Sequence, residues 1–287
     1  MENNDYSYLS LKEVQSLEND ILKAVVLFFN MNNIQYILCG GTMLGAVRHN
    51  GFIPWDDDID ILVPRKDYDK IIQLVKAGKA EMGAYSFRIP GDERYANPFI
   101  KAVDYNYKVI EDARDENFQG YIWIDIFPLD HFPDDEKNHI KYLKTNKFYR
   151  NILNSNTVPD SYMKSRGYHK DVKKIISYFG AKVLYRLFGG YIKLSLKIDG
   201  LARQMDQANC NSNHVGDGAL PNGQKDYFTV DDVTPVISHE FEGNQYCIPK
   251  NYDSYLTKFY GDYMQLPPEE QRGGHFIQVQ KCTDADK

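Results

Sequence analysis

Cysteine is scarce in this sequence and scattered: Cys39, Cys210, Cys247 and Cys282 form no CxxC pair and no zinc-type spacing. The four are therefore expected to be reduced cytosolic thiols. Long apolar runs are also missing. None approaches the ~20 residues of a membrane span, and the polar, acidic start MENNDYSYLS lacks the apolar stretch of a secretory leader. An excess of positive charge is absent too: the formal net charge is -6, so no nucleic-acid partner is expected. Three glycine signatures do not occur. Without GxxxxGK[ST], GxGxxG or GxSxG, the chain is no ordinary P-loop kinase, dinucleotide enzyme or nucleophile-elbow hydrolase.

What is present is a chain of 287 residues, 43% hydrophobic and 14% aromatic, with 22 tyrosines. Such a composition folds, and the length suffices for one large core or two modest ones. Ser10 and Glu13 have the spacing of a capping box, and Val14, Leu17, Ile21, Val25 and Phe28 follow at helical period. Residues 34–39, IQYILC, read as a short strand stopped by Gly40-Gly41, after which TMLGAVRH begins a helix. Gly40, Gly41 and Thr42 thus place backbone N–H groups where an anion can sit.

The densest chemical signal follows at PWDDDIDILVP. Carboxylates packed this closely repel one another unless a cation sits among them. Asp58 to Val63 reads as a strand ended by Pro64, with Asp58 and Asp60 on one face about 6.5 Å apart at the backbone. GYIWIDIFPLD repeats the alternation, with Tyr121, Trp123 and Asp125 on one face. An aspartate in an apolar strand is costly without a partner. Beside the first strand, Asp125 completes a three-carboxylate site suited to Mg²⁺ or Mn²⁺. The competing reading is a solvated acidic turn running into an edge strand. Arg48 and Lys101 are candidate phosphate clamps. His131 and His275 are candidates for orienting an acceptor or a water. For each of these the alternative is an ordinary surface role.

Three regions are expected: a catalytic core over residues 1–131, a mainly helical region over 132–215, and a segment over 216–287 that packs back on the core. The last is rich in aromatics that need burial, while its Pro and Gly residues forbid one long helix. Between Lys170 and Lys197 there are seven Lys or Arg residues against one Asp, with Ile176, Phe179, Val183 and Leu187 at helical spacing. Either that stretch packs on its own domain or it lies on an anionic membrane. Gly189-Gly190 divides it.

GGTMLGAVRHNGFIPWDDDIDILVPRKDY closely resembles the signature of the LicD family, within the nucleotidyltransferase-like superfamily. GYIWIDIFPLD, the FEG…IPKNYDSYL segment and YGDYMQLPPEEQR resemble it as well. The resemblance implies an α+β fold with a small mixed β-sheet flanked by helices. It implies Gly40 and Gly41 near phosphates, Mg²⁺ on Asp58 and Asp60, and Asp125 as a third acidic position, either ligand or base. Gly41 stands where broader nucleotidyltransferases carry serine.

It further implies a CDP-alcohol donor, CDP-choline favoured, and a glycan or lipid-linked oligosaccharide acceptor, with release of CMP. Family members of this kind decorate teichoic acid or lipopolysaccharide, so a cytoplasmic enzyme at the cytosolic face of the membrane is expected. Trp123, with Trp55, Tyr121, Tyr255 and Tyr260, is available to a quaternary ammonium, unless Trp123 simply fills the core. Transfer of ribitol phosphate or another polyol phosphate, nucleotidyl transfer from a nucleoside triphosphate to a sugar phosphate, and non-catalytic binding are the alternatives.

Overall fold

Ser10 caps the first helix, α1 (Leu11–Met31): its hydroxyl accepts from the Glu13 N–H, and the Glu13 carboxylate accepts from the Ser10 N–H at 2.7 Å. The computed structural model describes residues 8–111, 114–165, 172–273 and 278–282. The buried stripe of α1 comprises Val14, Ile21, Leu22, Val25, Phe28 and Phe29, with one acid, Glu18, among them. After α1 come β1 (Ile37–Leu38), α2 (Gly40–His49), β2 (Asp60–Pro64), α3 (Arg65–Lys76), β3 (Tyr85–Arg88), β4 (Ile100–Ile110) and β5 (Gly120–Phe132). Four helices follow: α4 (Glu136–Thr157), α5 (Asp160–Ser165), α6 (Val172–Leu187) and α7 (Gly190–Ala208). The remainder is β6 (His214–Asp217), β7 (Phe228–Thr229), α8 (Val230–Val233), β8 (Val236–Phe241), β9 (Asn244–Pro249), α9 (Tyr252–Tyr260) and β10 (Gln278–Lys281).

The main sheet runs β1-β2-β5-β4-β10, with β3 on β4, β6 on β5 and β7 on β6. β2 and β5 are parallel and their other neighbours antiparallel. This is the mixed sheet with flanking helices that the family resemblance implies. β10 pairs with β4, so the last described strand returns to the sheet begun by β1. β8 and β9 form a separate hairpin.

One sequence expectation shifts. The strand expected from Asp58 begins at Asp60, because consecutive aspartates repel and suit a turn better than a ladder. Asp58 therefore lies in the irregular segment between the Pro54–Trp55 turn and β2, although the Ile59 carbonyl already accepts from the Asp125 N–H at 2.8 Å. The stretch left open between internal packing and a membrane surface forms α6. It packs through Ala181, Leu184 and Tyr185 on a small second core of Ala96, Ile152, Leu153, Leu194 and Ile198. The stripe of Ile176, Phe179, Val183 and Leu187 is left exposed.

A buried ion cluster ties three elements together. Arg65 of α3 donates to both carboxylate oxygens of Asp130 on β5, at 2.5 and 2.7 Å, and to Asp199 of α7 at 2.8 Å. Among the described residues, no helix is long and apolar enough to cross a membrane.

Candidate active site

Strand register builds the site. Asp60 of β2 is the direct neighbour of Asp125 on β5, and Asp125 is the direct neighbour of Lys101 on β4. Directly paired residues point to the same face, so Asp60, Asp125 and Lys101 form one row across three strands. The Lys101 ammonium lies 3.2 Å from an Asp125 carboxylate oxygen and 3.5 Å from the centre of the Trp123 ring.

The segment entering β2 adds charge: Asp56, Asp57 and Asp58 present carboxylate oxygens all within 4.8 Å of one another. The start of α2 closes over this cluster. The Asp60 N–H donates to the Thr42 hydroxyl at 2.8 Å. A Cβ on Gly40 would come within 3.2 Å of an Asp60 carboxylate oxygen, and one on Gly41 within 2.7 Å of Asp56. Gly40 also has φ of +53°, which favours glycine. Both glycines thus let backbone approach carboxylates that larger residues would displace.

The electrostatics are those of crowded acids. Burial, then Asp58, Asp125 and Asp56, push the Asp60 pKa well above the usual carboxylate range, while Lys101 opposes them. Burial raises Asp125, against the pull of Lys101 and the Trp123 indole N–H. Glu18 comes up from α1 into the same field. It is buried, its Oε2 has no hydrogen-bond partner among the described residues, and burial followed by Asp58, Asp57 and Asp56 raises its pKa. Negative charge here exceeds what Lys101 neutralises. Hard oxygen donors in such surplus fit a divalent cation of the Mg²⁺ or Mn²⁺ kind.

Two clefts border the row, and a third lies beyond it on the far side of Tyr260. One, of about 350 Å³, is lined by Asp58, Asn97, Lys101, Trp123, Asp125 and Arg150 among others. A second, of about 360 Å³, has Asp60, Phe127, Arg150, Asp217, Asp226 and Phe259 in its walls. The third, of about 660 Å³, contains Arg48, Trp55, Tyr260, Tyr263 and Arg272.

Of the residues singled out from the sequence, Gly40, Gly41, Thr42, Asp58, Asp60, Lys101, Trp123 and Asp125 converge on the row. Arg48 does not reach it. It lies eight residues along α2 from Gly40, about 12 Å, and donates to the Tyr263 carbonyl at 2.7 Å. Tyr260 connects the two places, because its hydroxyl lies 4.0 Å from a Cβ built on Gly40 and its ring lines the Arg48 cleft. His131 is six residues beyond Asp125 on β5, about 20 Å, where its Nδ1 meets Asp206 at 2.9 Å. His275 lies outside the described residues.

The sequence reading missed Glu18, Arg150, Asp217 and Asp226. Glu18 carried a signal, an acid on the buried stripe of an amphipathic helix. The others had none, since the chain brings them in from remote segments. Arg150 of α4 lines both smaller clefts, and its buried Nε has no hydrogen-bond partner among the described residues. Burial lowers its pKa. Asp217 is pushed up to about 8 by burial and by Asp226, and Asp226 to about 6 by burial.

The family profile described as "LicD/FKTN/FKRP, nucleotidyltransferase domain" matches residues 33–173. The chain is also 31% identical over 275 residues to the lipopolysaccharide cholinephosphotransferase LicD of Haemophilus influenzae, covering 94% of this chain and 97% of that one. The chain belongs to the LicD family. The part matched by the LicD profile holds the whole row, the acidic turn and Arg150, whereas Asp217, Asp226, Tyr260 and Arg272 lie beyond it. An uncharacterized protein of Rickettsia typhi is 32% identical over 113 residues, 39% of this chain and 34% of its own. Another, from Rickettsia prowazekii, is 50% identical over 44 residues, 15% of this chain and 16% of its own.

Proposed function

We propose that this LicD-family chain is a metal-dependent phosphotransferase that moves phosphocholine from CDP-choline to a sugar hydroxyl of a cell-surface glycan precursor, releasing CMP. The observation that carries this reading is the Asp60–Asp125–Lys101 row beside the acidic turn. Similarity along nearly the whole chain to a cholinephosphotransferase supports it.

Asp58 and Asp60 would hold Mg²⁺ or Mn²⁺, with Asp125 beside them. The ion, when bound, neutralises charge on the donor diphosphate. The acceptor hydroxyl oxygen forms a bond to the distal phosphorus. The bond from that phosphorus to the bridging oxygen breaks, and its electron pair leaves with CMP. The hydroxyl proton passes to the Asp125 carboxylate, which Lys101 holds in place at 3.2 Å. Arg150, which lines both smaller clefts, meets the donor phosphates, which would supply the partner its buried Nε lacks. Arg48, with Trp55 and Arg272, suits the nucleotide end of the donor, offering cations for phosphate and a ring for the base.

Choline, which cannot donate a hydrogen bond, calls for aromatic faces and carboxylates. Trp123 already carries the Lys101 ammonium on its ring. The cleft of Phe127, Phe259, Asp217 and Asp226 has both kinds of partner in one place, and we assign the choline headgroup to it. The test is CMP release from CDP-choline, CDP-ethanolamine, CDP-ribitol and CDP-glycerol with a glycan acceptor. A preference of about tenfold or more for CDP-choline, about the worth of one desolvated cation–π contact, supports the assignment. Strong preference for a polyol donor overturns it and leaves the acidic row in its role.

A further inference from the structure

α6 is apolar on two opposite sides. At about 100° per residue, Ala181, Leu184 and Tyr185 share one side, and they pack on the second core. Ile176, Phe179, Val183 and Leu187 fall within an arc of roughly 80° on the other side. There they are 67%, 63%, 59% and 76% exposed. Scattered apolar residues on a surface are ordinary, but four in one stripe about 16 Å long mark a contact face.

Charge says what covers it. The chain as a whole carries -6, yet the stretch from Lys170 to Lys197 holds seven Lys or Arg against one Asp. Positive charge is thus concentrated around this helix in an otherwise acidic protein. Arg186 and Lys182 lie on one flank of the stripe, Lys182 being paired with Asp160 of α5 at 2.7 Å. A second copy of this face would bring like charges together. An anionic lipid surface would meet both features at once.

We infer that the outer face of α6 docks the protein on an anionic lipid surface, the stripe entering the headgroup boundary and the cations meeting the headgroups. The inference rests on this surface alone and does not depend on the proposed reaction. It has a consequence for access, because Ala96 and Leu153 of the core beneath α6 also line the Lys101 cleft. Docking therefore holds a wall of that cleft close to lipid.

The test uses the full chain and vesicles of phosphatidylglycerol with phosphatidylcholine, against phosphatidylcholine alone. Co-sedimentation with the anionic vesicles should fall as salt is raised. It should drop about tenfold or more in Phe179→Ser/Leu187→Ser, and also in Lys182→Gln/Arg186→Gln. Circular dichroism should be unchanged in both, since Phe179, Leu187 and Arg186 are exposed and the half-buried Lys182 gives up only its ion pair with Asp160. The docking role is overturned by failure to bind anionic vesicles, or by binding that none of these changes affects. It is equally overturned by a concentration-dependent dimer that the Phe179/Leu187 change abolishes in a chain that ignores vesicles, which would assign the face to a second copy.

Discussion

Asp60 meets three demands at once: it starts β2, receives the close approach of Gly40, and stands next to Asp125 in the row. Asp58→Asn and Asp60→Asn each remove a charge with little change in volume. Calorimetry should show Mg²⁺ affinity, measured with CDP bound, falling sharply in both, and turnover should drop by about 10²-fold or more. Unchanged affinity would remove these residues from the ion site. Arg150→Gln should raise KM for the donor about 10- to 100-fold, the worth of one charge-assisted hydrogen bond, and Arg150→Lys should restore part of it. The first pair of residues was legible because DDDID is contiguous, although the strand assigns a face to Asp60 alone. Arg150 was not, because its place in the site depends on how α4 packs with α6 and α7 beside the clefts.

At the scale of elements, two buried groups do measurable work. Arg65 clasps α3 to β5 and α7 through Asp130 and Asp199, so Arg65→Met strands the buried Asp130 carboxylate, whereas Asp199 keeps Arg203 at 2.9 Å. Urea denaturation should show a loss of about 3–5 kcal/mol. His139 of α4 is enclosed, with Phe132 and Tyr227 rings at 4.8 and 4.2 Å. Neither of its nitrogens has a partner among the described residues. Burial, helped by His214 and Lys258, lowers its pKa to about 4. The unfolded imidazole takes a proton near pH 6.5, so the stabilisation is complete above that value. It is lost as pH falls from about 6.5 to about 4, by at most roughly 3 kcal/mol. Comparing urea midpoints at pH 7 and pH 4.5, His139→Phe should lose less stability on acidification than the parent. An equal loss in both would place the acid sensitivity elsewhere. The element types were readable from periodicity in α1 and β5. The start of β2 was not, since strand alternation continues through the aspartates that charge repulsion keeps in a turn. Nor were the β8–β9 hairpin and β10, whose pairings are set by the partners they reach.

For the whole molecule, the sheet gathers residues from four distant stretches of chain around one acidic row, and the final strand returns to the edge of β4. The family signature made the fold and the core of the site legible from the sequence. The clefts that flank the row were invisible there, because each is walled by segments a hundred or more residues apart. What remains decisive is which phosphorus of the donor is attacked. CDP-choline labelled with ³²P in the phosphate next to choline, incubated with Mg²⁺, acceptor glycan and the enzyme, answers that in one measurement. Attack at the distal phosphorus puts the label on the glycan and releases unlabelled CMP, which is the result expected. Labelled phosphocholine in solution and unlabelled CMP joined to the glycan would contradict the account at its centre.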